Sequence, residues 1–302
     1  MINTQRLLKN TRLCKAVTGS SPEELERLLP AFTKSLIRRQ YQIKPKEQRK
    51  RKIGGGRRGD LPTQLHKLVF ILIYLKVYPT FDVMAFLTNR QRSKCHRSVM
   101  QFLPVLEMAL GRHLALPKRK ITSVEEFLQA FPEAREVFLD GTERRVEKPK
   151  NLKRRAKLYS GKKKVTTRKN IVVSNEKKRI LVLTPTKSGR RHDKRIADKF
   201  QIVQNIPPEV TIWTDTGFQG IQHMHPNTVM PAKATKKKPL TYDQKENNRT
   251  IAGIRVLSEH AIGGMKRLKA ASDVYRNKLP NLDDMFNFLS AGLWNFHLQQ
   301  TA

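Results

Sequence analysis

The chain of 302 residues carries 61 Lys and Arg against 25 Asp and Glu, which gives a formal net charge of +36. Hydrophobic residues make up 38% of the sequence, enough for a core in one large or two ordinary domains, which excludes a disordered basic tail protein. No apolar run approaches the roughly 18 to 20 residues that span a bilayer, and the start lacks an apolar signal core. We therefore expect a soluble, intracellular protein without a membrane partner.

A positive charge of this size indicates a polyanionic partner, because each Lys or Arg placed on a phosphate releases condensed counterions. Nucleic acid is the first candidate, and charge alone leaves an enzyme and a binding protein, such as a ribosomal or packaging protein, equally open. The two cysteines, Cys14 and Cys95, stand in unrelated contexts and predict neither a disulfide framework nor a cysteine metal site. Any metal ion is therefore expected on oxygen or imidazole ligands.

The first predicted region, residues 1–60, contains a basic N-terminal helix and a linker. Ser21, Pro22 and the two glutamates after them are typical of a helix start, which predicts a helix near 21–36. Residues 44–60 are basic, interrupted by glycine and nearly without apolar side chains. Because such a segment cannot pack, it is predicted to be a mobile linker.

Residues 61–130 are predicted to be helical. The apolar pattern predicts a helix that ends at Tyr78 and Pro79, a short second helix, and a third at about 89–110 with a break or kink at Pro104. The third helix begins with three basic residues, Arg92, Lys94 and Arg97. This order is similar to a helix-turn-helix, whose third helix enters the DNA major groove. A helical bundle with a solvated basic face gives the same pattern.

Residues 131–302 are predicted to form a mixed α/β domain. The predicted elements, in chain order, are an apolar strand at 136–139, a β-meander over 157–184, a helix at 192–204, a strand at 209–214, an insertion at about 221–245 and a long helix at about 245–270. Three strands, a helix, a strand and a later long helix form the order expected of a ribonuclease-H-like fold.

Two aspartates occupy equivalent places in this pattern. Asp140 is predicted to end the first apolar strand, and Asp215 to end the strand at 209–214. Functional groups of α/β sheets lie at strand ends, where a rigid scaffold meets solvent. A lone Asp-Gly is usually only a turn, but two aspartates that end buried strands in a chain with so few acids indicate a site.

A third acid lies on the long predicted helix. Arg255, Glu259 and Lys266 are separated by four and seven residues, which places them within one narrow stripe of a helix. The alternative is a surface ion pair between Arg255 and Glu259. Three carboxylates that converge from two strands and a helix suit Mg²⁺, which prefers oxygen ligands and shares its shell with phosphates. Two such ions can promote an in-line displacement at phosphorus.

Five ordered segments resemble a known family. The segments are 139–144 (LDGTER), 159–164 (YSGKKK), 189–193 (GRRHD), 214–220 (TDTGFQG) and 255–267 (RVLSEHAIGGMKR). Together they resemble the bacterial insertion-sequence transposases of the DDE class, which are related to the Harbinger-like DDE superfamily endonucleases. The resemblance covers nearly the whole chain, and five motifs in order are far more specific than any one of them.

The resemblance implies a catalytic and metal-binding triad of Asp140, Asp215 and Glu259, with two Mg²⁺ ions for which Mn²⁺ substitutes. It implies that Arg255 and Lys266 contact DNA, although Ala252 stands where relatives carry a Tyr. It also implies that the helical region binds the terminal repeats of the element, through residues such as Arg92, Lys94 and Arg97.

Further residues are assigned from their place beside this site. Residues 144–169 hold 13 basic residues against one acid, and beside a phosphoryl-transfer site we interpret this stretch as a track for the DNA backbone rather than a solvated face. Its turn supplies three predicted DNA contacts, Lys162, Lys163 and Lys164. His192 and Asp193 are predicted either to support the metal site from behind its ligands or to cap the helix that follows.

The sequence thus predicts a transposase that cuts DNA at the ends of an insertion sequence and joins them to target DNA. Cleavage of two ends together implies at least a homodimer, in the bacterial cytoplasm and in association with the nucleoid. Two alternatives stay open: a DDE-derived endonuclease without strand transfer, and a catalytically silent DNA-binding regulator.

Overall fold

The structure, a computed structural model, describes residues 2–43, 59–235 and 239–301. By its internal contacts the chain divides into two compact units. The helical unit comprises Met1–Leu116, Lys266–Asp273 and Met285–Ala302, and the sheet unit comprises Pro117–Met265 and Val274–Asp284. These bounds differ from the predicted domains, because the end of the chain, predicted as part of 131–302, belongs to the helical unit by its contacts. The assignment of functions to 1–60, 61–130 and 131–302 stays a prediction.

The helical unit begins with six helices. They are α1 (Thr4–Leu8), α2 (Thr11–Thr18), α3 (Pro22–Ile43), α4 (Gln64–Val77), α5 (Phe81–Thr88) and α6 (Arg92–Arg112). The helix start predicted at Ser21 is confirmed, since the Ser21 N–H donates to Glu24 Oε2 at 2.7 Å and the Glu24 N–H donates to Ser21 Oγ at 3.3 Å. This reciprocal pair satisfies two free donors of the first turn. The predicted linker lies outside the described residues except at 59–60.

Helix α4 forms the centre of the helical unit. All side chains from Leu68 to Leu75 are buried, so this helix is covered on every side by its neighbours. Of the break or kink predicted at Pro104, the break is wrong, because α6 continues through the proline to Arg112, and the kink stays a prediction. Leu103, Val105 and Leu106 are buried around that proline, and their packing maintains the helix although one backbone hydrogen bond is lost.

The sheet unit contains seven strands among the described residues. They are β1 (Glu136–Arg145), β2 (Tyr159–Ser160), β3 (Val165–Asn175), β4 (Ile180–Leu183), β5 (Lys187–Ser188), β6 (Thr211–Thr214) and β7 (Thr228–Val229). The sheet order is β2-β3-β1-β6-β7, and β4 and β5 also pair with β3. The long strands β1 and β3 are antiparallel, whereas β6 runs parallel to β1.

The described part of the chain contains six further α-helices. The first four are α7 (Val124–Ala130), α8 (Leu152–Leu158), α9 (Asp193–Lys199) and α10 (Tyr242–Lys266), and the last two are α11 (Lys269–Ser272) and α12 (Leu282–Thr301). The core of the sheet unit contains Val137, Leu139, Ile171, Ile196 and Ile212, all at most 1% exposed. Apolar side chains of β1, β3, β6 and α9 therefore hold the sheet and its helix together.

Strand β1 differs from its prediction. Asp140 does not end it, because the strand continues to Arg145. The continuation is possible because β3 pairs with β1 as far as Thr167 opposite Arg145, whereas the parallel pairing to β6 stops at Leu139 opposite Thr214. Asp140 thus lies in mid-strand, where one of its two neighbouring strands ends.

Among the helices of the described ranges, none combines the length and apolar character needed to cross a bilayer.

Candidate active site

The sheet register brings the two predicted aspartates together. Leu139 of β1 pairs with Thr214 of β6 in parallel, and Asp140 and Asp215 are the residues that directly follow this pair. Thr214 Oγ1 also donates to the Leu139 carbonyl at 3.0 Å, which fixes the two strands at this level. The aspartates therefore lie side by side, as their strand positions predicted.

Each aspartate accepts a hydrogen bond from the backbone N–H of a nearby glycine. The N–H of Gly141 donates to Asp140 Oδ1 at 2.6 Å, and the N–H of Gly217 donates to Asp215 Oδ1 at 2.9 Å. These bonds hold one oxygen of each carboxylate against the backbone, while Asp215 Oδ2 faces Lys162. The Asp215 side chain is 22% exposed, so its carboxylate is accessible from solvent.

The environment of Asp140 disfavours its charged form. Burial raises the pKa of Asp140, and the neighbouring Asp215 charge raises it further, while the Gly141 N–H, Arg255 and Lys162 act in the opposite direction. The net result is a raised pKa. A divalent cation between the two carboxylates would remove their mutual repulsion.

A basic pocket of about 480 Å³ opens beside Asp215. Lys162, from the turn between β2 and β3, places its Nζ 3.8 Å from Asp215 Oδ2. The other cations that line the pocket are Lys169, Arg190, Arg191 and Lys233, and His192 and Asp193 line it as well. A carboxylate surrounded by cations in a pocket of this size suits a phosphate group of a polyanion.

Behind the aspartates lies a buried ion network, which we call the Lys169 network: Glu143, Lys169 and Asp193. Lys169 Nζ is 3.1 Å from Glu143 Oε1 and 3.0 Å from Asp193 Oδ1, and the three side chains are only 7% to 11% exposed. Burial on its own lowers the pKa of Lys169, but the charges and hydrogen bonds of Asp193 and Glu143 outweigh it, so that pKa is raised. Thr167 Oγ1 completes the network by donating to Glu143 Oε2 at 2.7 Å.

Asp193 of this network lies against two glycines that stand close to the aspartates in sequence, Gly141 and Gly217. A Cβ placed on Gly141 would lie 3.0 Å from Asp193 Cγ, and one on Gly217 would lie 3.5 Å from Asp193 Oδ2. Only residues without a side chain allow this approach at Gly141. Asp193 was predicted to act behind the metal ligands or as a cap; its carboxylate accepts from Lys169, and His192, the residue before the helix, forms no side-chain cap.

The loop before Asp193 is fixed to β3. The Gly189 N–H donates to the Thr167 carbonyl at 2.9 Å, and a Cβ on Gly189 would lie 2.0 Å from Thr167 Oγ1. Glycine is therefore required there, which explains the first residue of the 189–193 motif. Sequence analysis did not identify Glu143, Lys169 or Thr167 as site residues, because their link to Asp193 depends on the pairing of β1 with β3.

The third predicted acid is not brought into contact with the aspartates. Arg255 of α10 is near enough to Asp140 to lower the pKa of that carboxyl, whereas Glu259, one turn further along, is exposed. Lys266 lies in the last turn of α10 and is half-buried. The helix thus approaches the site through Arg255.

The remaining predicted DNA contacts are exposed cations. Lys163 and Lys164 lie beside Lys162 in the turn between β2 and β3 and are exposed. Arg92, Lys94 and Arg97 are exposed in the first turns of α6, in the helical unit. Arg92 forms an ion pair of 3.3 Å with Asp82, which an exposed arginine can exchange for a phosphate at little cost.

A hard divalent cation needs oxygen ligands, and the site offers it carboxylates. Over residues 2–43, 59–235 and 239–301, no three His, Cys, Asp or Glu side chains converge as a metal site. Within these ranges, Asp140 and Asp215 provide two neighbouring carboxylates that no buried lysine neutralises as Lys169 does Glu143 and Asp193. Because Mg²⁺ is commonly held by one or two carboxylates together with water and substrate phosphates, this pair fits such an ion.

Comparison with known proteins identifies the class. The model of the DDE superfamily endonuclease family matches residues 139–295, a range that includes Asp140, Asp215 and Glu259. The chain is 28% identical over 260 residues to a probable transposase for insertion sequence element IS702 from Microchaete diplosiphon, which covers 86% of this chain and 89% of the relative. No solved structure matches.

The chain therefore belongs to the DDE superfamily of endonucleases, in the class of the insertion-sequence transposases. The resemblance seen in the five sequence segments is confirmed. Members of this class act on DNA and depend in general on divalent metal ions, which agrees with the charge of +36 and with the paired aspartates.

Proposed function

We propose that this protein is a transposase that binds the ends of an insertion sequence, cleaves DNA strands there with divalent metal ions, and transfers the new ends to target DNA. The observation that carries the proposal is the register of β1 and β6, which places Asp140 and Asp215 side by side. They lie beside a pocket lined by cations, where a phosphate and a divalent cation can meet.

Asp140 and Asp215 would hold the metal ions, two Mg²⁺ that Mn²⁺ can replace, and Glu259 would join them once DNA is bound. When bound, such ions activate the attacking oxygen and stabilise the leaving oxygen at phosphorus. Arg255, one turn before Glu259 on α10, is near enough to Asp140 to lower the pKa of that carboxyl, which supports placing this part of α10 beside the aspartates.

The cations around the aspartates would hold the substrate. Lys162, 3.8 Å from Asp215, and Arg255 would contact the phosphates next to the scissile bond, with Lys163, Lys164 and Lys266 on the flanking backbone. Such contacts position the DNA without reading its sequence. They also fix the reacting phosphate against the carboxylates, which lowers the entropic part of the barrier.

The Lys169 network would keep the aspartates in place. Asp193 lies against Gly141 and near the point where a Cβ on Gly217 would lie. Lys169 links Asp193 to Glu143 on β1. His192 lines the same pocket and would contact the substrate or water there. These residues would act through the position of Asp140 and Asp215 rather than on the reacting atoms.

The fold supports the same assignment. Three antiparallel strands, β1, β3 and β4, are followed by α9 and by β6 parallel to β1, an arrangement that supports a ribonuclease-H-like catalytic domain. Helices α4 to α6, with exposed basic residues at the start of α6, support a helix-turn-helix region for the terminal repeats. Because two ends must be cut together, the active complex would contain at least two protomers.

The test uses DNA that carries the sequences flanking this coding region, incubated with Mg²⁺. We expect the wild type to cleave at the element ends and to join them to a second DNA. Asp215→Asn and Glu259→Gln should bind the DNA but lower both reactions by about 100-fold or more, because each removes a charge that stabilises the transition state.

Each alternative gives a different result. Cleavage without joining would indicate the DDE-derived endonuclease, and DNA binding without either reaction would indicate the silent regulator. The matched control is Glu209→Gln. It neutralises an exposed acid two residues before β6 and should leave both rates unchanged. Equal loss in Glu209→Gln and Glu259→Gln would contradict the assignment of Glu259.

A further inference from the structure

A second pocket, of about 410 Å³, lies in the sheet unit. Its lining is Arg145, Val146, Lys148, Arg155, Tyr159, Lys164, Val165, Thr166 and Val274. The volume falls in the range of about 300 to 1,000 Å³ that is typical of sites for small organic molecules. The described lining contains four cations and no acid.

The floor of this pocket is held rigidly by backbone hydrogen bonds. The Val146 N–H donates to the Thr166 carbonyl at 3.0 Å, and Thr166 Oγ1 donates to the Val146 carbonyl at 3.0 Å. On the other side, the Tyr275 N–H donates to the Arg145 carbonyl at 2.9 Å and the Glu147 N–H donates to the Tyr275 carbonyl at 3.1 Å. The floor is therefore formed before any ligand binds.

The chemistry of the pocket matches a nucleotide. Tyr159 leaves 43% of its surface exposed, so its ring is available to a base, and Val146, Val165 and Val274 provide apolar contact. Every base has a face that stacks on an aromatic ring, and cations around the ring hold the phosphates. Arg145, Lys148, Arg155 and Lys164 provide those cations.

The pocket and the aspartates share one short segment. Tyr159 and Lys164 line the second pocket, whereas Ser160, Gly161 and Lys162, between them in sequence, line the pocket at Asp215. Lys162 follows Tyr159 by three positions, a backbone span of at most about 10 to 11 Å. Successive base pairs are about 3.4 Å apart along one strand. A nucleotide at Tyr159 would thus lie a few positions from the phosphate at the aspartates.

We propose that this pocket binds one unpaired nucleotide of the DNA substrate, with the base against Tyr159 and the adjoining phosphates on the surrounding cations. The inference rests on the proposed function for the nature of the substrate, and it adds a site that holds a base outside the duplex close to the cleaved bond. Intact duplex cannot enter, because a stacked and paired base does not expose its face.

The test measures binding by fluorescence anisotropy in EDTA, where no metal-dependent cleavage can occur. The probes are a 20-base-pair duplex and the same duplex with one unpaired thymine. We expect the wild-type full-length chain to prefer the second probe. Tyr159→Ala should lower that preference by about 5- to 150-fold or abolish it, since stacking of one base on an aromatic side chain has this strength, while Tyr159→Phe should retain it.

Two further variants make the result specific. Tyr242→Ala removes another exposed tyrosine of the sheet unit, 76% exposed at the start of α10, and should leave the preference unchanged. Val274→Trp should fill the pocket and lower the preference while Tyr159 stays in place. Circular dichroism and thermal melting verify that each variant is folded.

Two outcomes would overturn the proposal. One is equal binding of both probes by the wild type. The other is a preference for the unpaired thymine that survives in both Tyr159→Ala and Val274→Trp. Failure of the proposed function would appear differently, as a wild type that binds DNA and discriminates the probes in EDTA but never cleaves when Mg²⁺ is added.

Discussion

Lys169 is a single positive charge between two buried carboxylates, and it connects the stability of the sheet unit to the geometry of the site. Its two partners are 3.0 and 3.1 Å from Nζ, and one of them, Asp193, lies against Gly141 next to Asp140. Removing one member of a buried ion group leaves an uncompensated charge, which costs far more than the group contributes when complete.

We predict that Lys169→Met lowers the free energy of unfolding by about 3 to 5 kcal/mol, because Glu143 and Asp193 lose their counter-charge inside the protein. DNA cleavage should fall as well, measured well below the melting temperature, since Asp193 would no longer hold the segments that carry the aspartates. Denaturant unfolding and the cleavage rate are the two measurements.

The matched control is Lys177→Met. Lys177 forms an ion pair of 3.0 Å with Glu133, but the two side chains are 69% and 82% exposed, so its loss should change neither quantity measurably. If the two variants lose the same stability, or if Lys169→Met cleaves as fast as the wild type, the Lys169 network has no positioning role.

At the level of secondary structure, the residues next to the aspartates were predictable, and their partners were not. Apolar runs before Asp140 and Asp215 predicted the strands that lead to both acids, and Asp215 directly follows β6 as predicted, whereas Asp140 does not end β1. The continuation of β1 to Arg145 was missed, since a polar and basic segment such as 141–145 gives no apolar pattern. Its pairing with β3 brings Glu143 opposite Lys169, and no local sequence signal reports such a long-range register.

The turn between β2 and β3 places one of its three lysines on the site. We predict that Lys162→Gln lowers the cleavage rate by about tenfold or more, because its Nζ is 3.8 Å from Asp215 and would contact the reacting phosphate. Lys163→Gln should lower it little. Both variants should reduce the salt dependence of DNA binding by about one phosphate contact.

The rate of single-turnover cleavage distinguishes the roles of Lys162 and Lys163. Lys163→Gln, in the same turn, serves as the control. Cleavage that falls equally in both variants would show that the turn contributes only general attraction to DNA. An unchanged rate in Lys162→Gln would remove this residue from the site.

For the whole molecule, the sequence predicted a helical region followed by a mixed α/β region. It did not predict that most of the last helix, α12, belongs to the helical unit. Apolar side chains of α12 such as Phe286, Leu289 and Leu293 are buried, yet an apolar stripe on a helix does not identify what covers it. In the helical unit, Phe286 packs against Tyr74 and Tyr78, with ring centroids 6.0 and 5.7 Å apart. Contacts that join residues 200 positions apart in the chain cannot be inferred from periodicity.

The charge of +36 predicts a strong effect of salt on DNA binding. If 6 to 10 phosphates are contacted, the binding constant should fall by about 10³ to 10⁵ between 50 and 200 mM salt. The slope should be the same for the wild type and for Asp215→Asn, because an aspartate contacts no phosphate in the absence of metal. Titration of labelled duplex at several salt concentrations measures it, and a flat dependence would contradict a backbone-binding surface.

The proposed role of Asp140 and Asp215 is to hold the divalent cations that cleave DNA. Titration of Mn²⁺ into the protein bound to uncleaved DNA, with free Mn²⁺ followed by electron paramagnetic resonance, measures this role. The wild type and Glu209→Gln should bind Mn²⁺ alike. Asp140→Asn and Asp215→Asn should each weaken it by about 100-fold or more, since even changes behind a metal's ligands cost about 10- to 100-fold. Unchanged Mn²⁺ affinity in both aspartate variants would contradict the account.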